Sequence, residues 1–219
     1  MMSKKISTDD YDIIAAFGDR LSDKADLQTF ISLYHQDSVI AELRQIHSCK
    51  VIIISDWKLF KKGSKNADAM ATKLPRIALT IRTADCYPIL FWDPVNSVIA
   101  AAHSGREGTR LNITSQTIKA MLSLGANKDN IIVTIGPGIS PEHYPVDKVT
   151  WQKFCTSTNI SQNFPFLDLR KVINTQLLNS GIKIDNISNI SLCTFSNHYY
   201  NSYRRNKTSR RQFSTIMLS

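Results

Sequence analysis

The chain has 219 residues, 42% of them hydrophobic and 21% charged, the make-up of a folded globular protein rather than a disordered one. It carries 27 Lys+Arg against 18 Asp+Glu, a net charge of +9, which favours anionic partners such as phosphate, nucleotide or nucleic acid without choosing among them. No apolar run reaches the roughly 18 residues of a membrane span. The polar start 1–11 lacks the apolar stretch of a secretory signal, so a cytoplasmic protein is expected.

In chain order, 12–18 predicts a strand ending at Gly18, and 23–35 a helix capped by Ser22 or Asp23, with Leu27, Phe30, Ile31 and Tyr34 at helical spacing. Two apolar strands follow, 39–43 and 51–54, with His47 in the connection between them; 58–66 is a polar loop open to proteolysis. A strand over 77–81 leads to Cys86. Segments 88–92 and 97–102 predict a hairpin closed by Asp93-Pro94-Val95-Asn96. The spacing of Ile113, Thr117, Met121 and Leu124 predicts a helix over 109–124 that ends at Gly125. A buried strand over 131–135 stops at Gly136-Pro137-Gly138, helices cover 146–156 and 168–179, and strands over 187–195 and 212–218 close the chain. Strands outnumber helices and come partly as hairpins, partly singly between helices. There is no repeat or low-complexity linker, so a single α+β domain over 1–219 is expected.

The four cysteines are widely spaced with no CxxC pair, which argues against a disulfide framework. Cys49, Cys155 and Cys193 lie among apolar neighbours and read as buried thiols acting as small hydrophobes. Cys86 and His103 each sit just off the end of an apolar strand, where a rigid element aims a side chain into a pocket. With His47 they form a candidate metal site: two imidazoles and a thiolate suit Zn²⁺ and leave its fourth position open. Asp85, beside the thiol, is a candidate proton carrier or outer ligand partner. Spacing alone leaves other readings open. Cys86 as nucleophile with His103 as base makes a thiol hydrolase pair, and a buried cysteine with two hydrogen-bonded histidines needs no function at all.

A set of short pieces in fixed order resembles the YfiH family of laccase-domain proteins, which are described variously as polyphenol oxidases, purine nucleoside phosphorylases and peptidoglycan editing factors. The pieces are Gln45-Ile46-His47, Ala67-Asp68-Ala69 with Thr72, Ala84-Asp85-Cys86 with Pro88, and His103-Ser104-Gly105 with Gly108-Thr109. They continue with Gly125-Ala126, Ile135-Gly136-Pro137 with Ile139, Tyr144 and Val146, then Leu167-Asp168-Leu169, Cys193-Thr194, Ser202-Tyr203-Arg204-Arg205 and Arg211-Gln212.

The resemblance implies stacked mixed β-sheets flanked by helices, a fold shared with a Cys-His toxin deamidase. It implies a zinc site of His47, Cys86 and His103, phosphorolysis of purine nucleosides and a companion adenosine deamination. An amidase that edits peptidoglycan precursors, releasing L-serine, is the alternative. A single copper at the same ligands, serving a polyphenol oxidoreductase, is a further one; five histidines are too few for a multicopper enzyme. Substrate contacts are expected at Gln45 and Arg211, the latter for phosphate, and nucleic-acid binding is not expected. The chain departs from the family's usual His-Ala-Gly-Trp-Arg/Lys-Gly at Ser104, Arg106 and Glu107, and Gly138 stands where a cysteine often follows Gly-Pro.

Overall fold

A computed structural model describes residues 2–7, 12–60 and 65–219. Its architecture is α+β, with two mixed sheets stacked face to face and helices on both outer faces. The first sheet runs β1 (Met2–Ser7), β2 (Asp12–Phe17), β11 (Gln212–Leu218), β6 (Ile77–Thr83), β3 (Val39–Glu42), and only the β6–β3 pair is parallel. The second runs β10 (Ile187–Asn189), β9 (Ile132–Ile135), β7 (Tyr87–Asp93), β8 (Val98–Ser104), β5 (Ala69–Thr72), β4 (Val51–Ile54), with parallel pairs at its two ends.

Period-two alternation sorts the side chains into layers. Ile13, Leu79, Ile81, Ile216 and Leu218 of the first sheet meet Met70, Leu90, Trp92, Ile99 and Ala101 of the second in the central core. The opposite side of the second sheet, with Ile89, Phe91, Ala100, Ala102 and Val133, packs under α3 (Ile113–Ser123), α4 (Lys148–Thr158) and α5 (Leu169–Asn179) through Met121, Phe154, Val172 and Leu177. The outer face of the first sheet, with Ile14, Ala78 and Met217, is covered by Leu27 and Ile31 of α1 (Lys24–Ser32). Because β7 and β8 are covered on both faces, all their residues are buried, and they read as continuous apolar runs rather than alternating ones.

Most predicted elements are present, with local corrections. Asp23 caps α1 in a reciprocal capping box with Asp26. The Asp93 carboxylate receives the N–H groups of Val95, Asn96 and Asn127 and closes the hairpin. The helix predicted over 109–124 is broken: α2 spans Arg106–Arg110, then Asn112 turns left-handed at φ 59° and caps α3 through Ser115 N–H. The closing strand predicted over 187–195 is continuous only over Ile187–Asn189; beyond it an isolated bridge pairs Cys193 with Gly138 and the chain turns, with Asn197 N–H returning to the Cys193 carbonyl. Strands β1 and β5 were not anticipated. The 58–66 loop begins in a short 3₁₀ turn, Trp57–Leu59, and residues 61–64 lie outside the described residues.

Burial between the two sheets sets the expected scale of core mutations. Leu90→Ala should cost about 2–5 kcal/mol in urea unfolding, whereas Leu122→Ala, at a side chain 40% exposed on α3, should stay within about 1 kcal/mol. Equal losses at the two positions would contradict this layering.

Candidate metal centre

The chain passes from the first sheet to the second twice near one end of the stack. The β3–β4 connection carries His47, and the β6–β7 connection carries Asp85 and Cys86. Strand β8 ends at the same place, since Tyr87 pairs with Ser104 and Pro88 with His103. Strand β5 starts there, with Ala69 opposite Ala102. That register sets Asp68, one residue earlier, against His103, whose N–H donates to the Asp68 carbonyl at 2.7 Å. Three positions remote in sequence therefore converge because the strand ends are aligned. Ligand atoms of His47, Cys86 and His103 all lie within 4.8 Å of one another, and they form the only such cluster of three or more His, Cys, Asp or Glu side chains among the described residues. The two imidazoles meet edge to face, with centroids 4.9 Å apart. His103 is buried, Cys86 half-buried and His47 exposed, so the cluster opens to one side.

Asp68 holds this arrangement together. It is fully buried, and its two oxygens accept from Ile46 N–H (3.3 Å), His47 N–H (3.0 Å), Ser48 N–H (2.6 Å), Ser48 Oγ (2.8 Å) and His103 Nδ1 (2.8 Å). The contacts to the 46–48 turn stabilise the left-handed backbone of His47, φ 58°. The contact to His103 fixes its tautomer and leaves Nε2 as the nitrogen available to a ligand, the usual arrangement behind a metal-bound imidazole. Gly105 completes the fit: a Cβ there would lie 2.7 Å from Cys86 Sγ.

Without a metal the cluster is an ion pair. Burial pushes the Cys86 thiol up, but the adjacent charge and hydrogen bond of His103, and then His47, outweigh it and bring the thiol down to about 6. Burial likewise opposes charge on His103, yet the Cys86 thiolate and the Asp68 carboxylate raise it to about 9. Asp68 is lowered to about 2: burial works against its charge, and the bonds from His103 and Ser48 overcome that. The donor set and its mutual distances fit a divalent metal that accepts nitrogen and sulfur.

The cluster lies in a cleft of about 820 Å³. Arg82, Arg204, Lys207 and Arg211 line it against one carboxylate, Asp85, and Tyr144 and Tyr203 add aromatic wall. Arg211 is at the cleft because β11 starts beside β6, with Gln212 opposite Thr83. Its Nη1 donates to the Thr208 and Arg210 carbonyls, both at 2.8 Å, and its guanidinium lies 5.9 Å from the Tyr203 ring centroid. Arg204 lies 5.0 Å over the Tyr144 ring.

Asp85 and Gln45 also line the cleft, each with structural bonds. Asp85 has φ 83°, and its carboxylate accepts from Thr194 Oγ1 (2.8 Å) and from Arg204 N–H (2.6 Å), tying the wall of cations to the Cys86 turn. The Gln45 amide pairs with both backbone groups of Arg82, at 2.8 and 2.9 Å. Arg106 and Glu107, the departures noted above, pair with each other at 3.5 Å, and Glu107 also accepts from Arg110 Nε at 2.9 Å. The three remaining cysteines are half-buried rather than buried: Cys49 packs against the core, but Cys193 is hydrogen-bonded at the surface. Asp68 falls within one of the family motifs, but its role is not evident from the motif. The available signal was a lone carboxylate at the head of the short apolar run Asp68–Thr72.

A family model described as multi-copper polyphenol oxidoreductase laccase matches residues 7–219. A purine nucleoside phosphorylase of Campylobacter jejuni is 32% identical over 80% of this chain and 75% of its own length. Another, of Corynebacterium glutamicum, is 30% identical over 96% and 83%. A third, of Deinococcus radiodurans, is 41% identical over 48% of this chain and only 40% of its own length. Among solved structures, the YfiH protein of Bacillus licheniformis superposes with a TM-score of 0.81 at 22% identity, covering 94% of this chain and 93% of that one. A DUF152 protein of Neisseria meningitidis gives 0.77 at 23% identity, covering 99% of both. No helix among the described residues is long and apolar enough to cross a membrane.

Two outcomes test the ion pair and its support. In metal-free protein, alkylation of Cys86 should rise with pH through about 6, because the thiolate is the reactive form; a rise only near 9 would contradict it. Asp68→Asn should weaken metal binding by roughly 10–100-fold. It should also remove the part of the wild-type stability that is present above pH about 4 and lost as pH falls toward about 2, since a carboxyl depressed in the fold stabilises only while ionised.

Proposed function

The chain belongs to the multi-copper polyphenol oxidoreductase laccase family, the YfiH/DUF152 group, and from that premise we propose that it is a metal-dependent purine nucleoside phosphorylase whose site also deaminates adenosine. The observation that carries this reading is the cluster of His47, Cys86 and His103 at a cationic cleft of about 820 Å³, a size within the ordinary range for small-molecule sites. The names of the relatives support the substrate class.

Two imidazoles and a thiolate suit Zn²⁺, which when bound would act as a Lewis acid and bring a water molecule to ionise near pH 7. The chain's own groups do the rest. In phosphorolysis a phosphate oxygen forms a bond to ribose C1′, the bond from C1′ to the purine nitrogen breaks, and that nitrogen takes up a proton. Arg204, Lys207 and Arg211 hold the phosphate, whose negative charge would otherwise oppose approach to the thiolate. Tyr144 and Tyr203 supply flat apolar surface for the purine. Asp85, anchored to Arg204 N–H and Thr194, keeps the cationic wall opposite the metal ligands and, as the carboxylate that lines the cleft, is placed to carry a proton in deamination.

A second reading rests on the alignment of Asp68, His103 and Cys86. With no metal, those three have the orienter, base and nucleophile roles of a thiol hydrolase. On that reading Cys86 attacks an amide carbonyl of a peptidoglycan precursor and L-serine leaves. A single copper on the same ligands, for phenol oxidation, is the reading closest to the family's name. A chelator separates the thiol reading from the two metal readings: it should abolish phosphorolysis and phenol oxidation but spare or raise thiol-dependent amidase activity.

Metal-loaded protein incubated with inosine or adenosine and inorganic phosphate should yield free base and ribose 1-phosphate, and inosine from adenosine. His47→Ala and Cys86→Ala should lose metal and turnover together. Arg211→Ala should keep its metal but raise the KM for phosphate about 10-fold or more, the scale of one charge-assisted hydrogen bond. Absence of turnover in protein with its metal in place would overturn the proposal.

A further inference from the structure

A second pair of cysteine and histidine lies outside the cleft. Cys193, in the irregular segment after β10, accepts Ser140 N–H at 3.4 Å and lies 3.6 Å from His143 Nδ1. The same imidazole nitrogen lies 3.3 Å from Ser140 Oγ and 3.6 Å from Glu142 Oε1, and Ser140 Oγ donates to Glu142 Oε1 at 2.5 Å. His143 is stacked on Phe195 with centroids 4.6 Å apart, which fixes its plane beside the sulfur. The group is held by a backbone bridge between Gly138 and Cys193 and by Thr194 N–H donating to the Gly138 carbonyl at 3.1 Å. Cys193, Ser140 and Glu142 open onto a separate solvent-facing hollow of about 640 Å³, also lined by Arg170 and His198.

We propose that Cys193 is a second reactive thiol, a modification site that takes a low-molecular-weight disulfide from solution. The supporting features are those that activate thiols elsewhere: partial exposure, an adjacent imidazole, hydrogen bonds aimed at the sulfur and nearby positive charge. Burial pushes this thiol up, but hydrogen bonds from Ser140 and Ser196 bring it down to about 6. Cys155, by contrast, is pushed up by its burial. The step is a simple exchange. The Cys193 sulfur attacks one sulfur of the disulfide, a new S–S bond forms as the old one breaks, and the second sulfur leaves as a thiolate that takes up a proton from water. Cys193 is oxidised and the leaving thiol is the reduced product. Arg170 favours a disulfide that carries carboxylates, as tripeptide thiols do. The adduct would form behind the catalytic cleft, since the next residue, Thr194, bonds to Asp85.

The test uses folded, metal-loaded protein and oxidised glutathione at neutral pH, with adducts located by peptide mass spectrometry. Cys193 should acquire the mixed disulfide at least about 10-fold faster than Cys155, whose thiol is pushed up by burial. The Ser140→Ala/His143→Ala double variant should react about 10-fold more slowly while melting at a similar temperature, which separates lost activation from unfolding. Labelling of Cys193 no faster than Cys155, or unchanged labelling in the double variant, would overturn the proposal.

Discussion

One buried carboxylate gives the candidate metal centre its shape. Asp68 has no exposure to water, and its charge is offset by five hydrogen bonds, three from consecutive backbone N–H groups of the 46–48 turn. An ionised carboxyl in such a place is tolerated only when its oxygens are satisfied. Here satisfying them fixes both histidines at once, one through its backbone and the other through its ring. The cost of an under-satisfied buried charge is thereby turned into precision of placement, since His47 N–H and His103 Nδ1 share Oδ1 and drift of either would cost that oxygen a hydrogen bond.

The position of that carboxylate follows in turn from sheet register. On the helix-facing side, strands β5 and β8 pair small side chains, with Ala69 opposite Ala102 and Ala71 opposite Ala100 letting the sheet pack closely under the helices. The two crossings from the first sheet to the second then deliver His47 and Cys86 to the end of β8. The opposite wall of the cleft is built differently. It is a loop with one four-residue helix, α6 (Tyr203–Asn206), and it depends on polar bonds rather than apolar burial. Asp85 grips it at Thr194 and Arg204, and Arg205 braces it from within by donating to the Thr194, Phe195 and Tyr200 carbonyls. A rigid floor of strand ends thus faces a wall of cations, four against the single carboxylate of Asp85, in a chain whose net charge is +9.

Much of this was legible in the residues, and the exceptions have physical reasons. The apolar runs at β7 and β8 were readable because burial on both faces leaves few polar interruptions. The candidate ligands His47, Cys86 and His103 stood out as chemically distinctive groups at strand ends, although only the ordered motifs shared with a family narrowed the choice between metal and thiol chemistry. Strand β5 was missed because Ala-Met-Ala-Thr has little intrinsic strand preference and is held by its neighbours. The break at Asn112 was missed because apolar spacing continues across it while the backbone does not. The part played by Asp68 was invisible for a different reason: it depends on which residue lies opposite in the sheet, and pairing across 35 positions is not written in local pattern. Cys193 was misjudged because its apolar neighbours in sequence are not its neighbours in space.

The central claim is that His47, Cys86 and His103 jointly bind one metal ion through one sulfur and two imidazole nitrogens. X-ray absorption at the metal edge of protein purified with its native ion, together with metal content, tests this most directly. The account predicts close to one ion per chain, with a scattering shell of one sulfur at about 2.3 Å and two nitrogens at about 2.0–2.1 Å if the ion is zinc. A first shell without sulfur, or protein that binds no metal at all while folded, would contradict it.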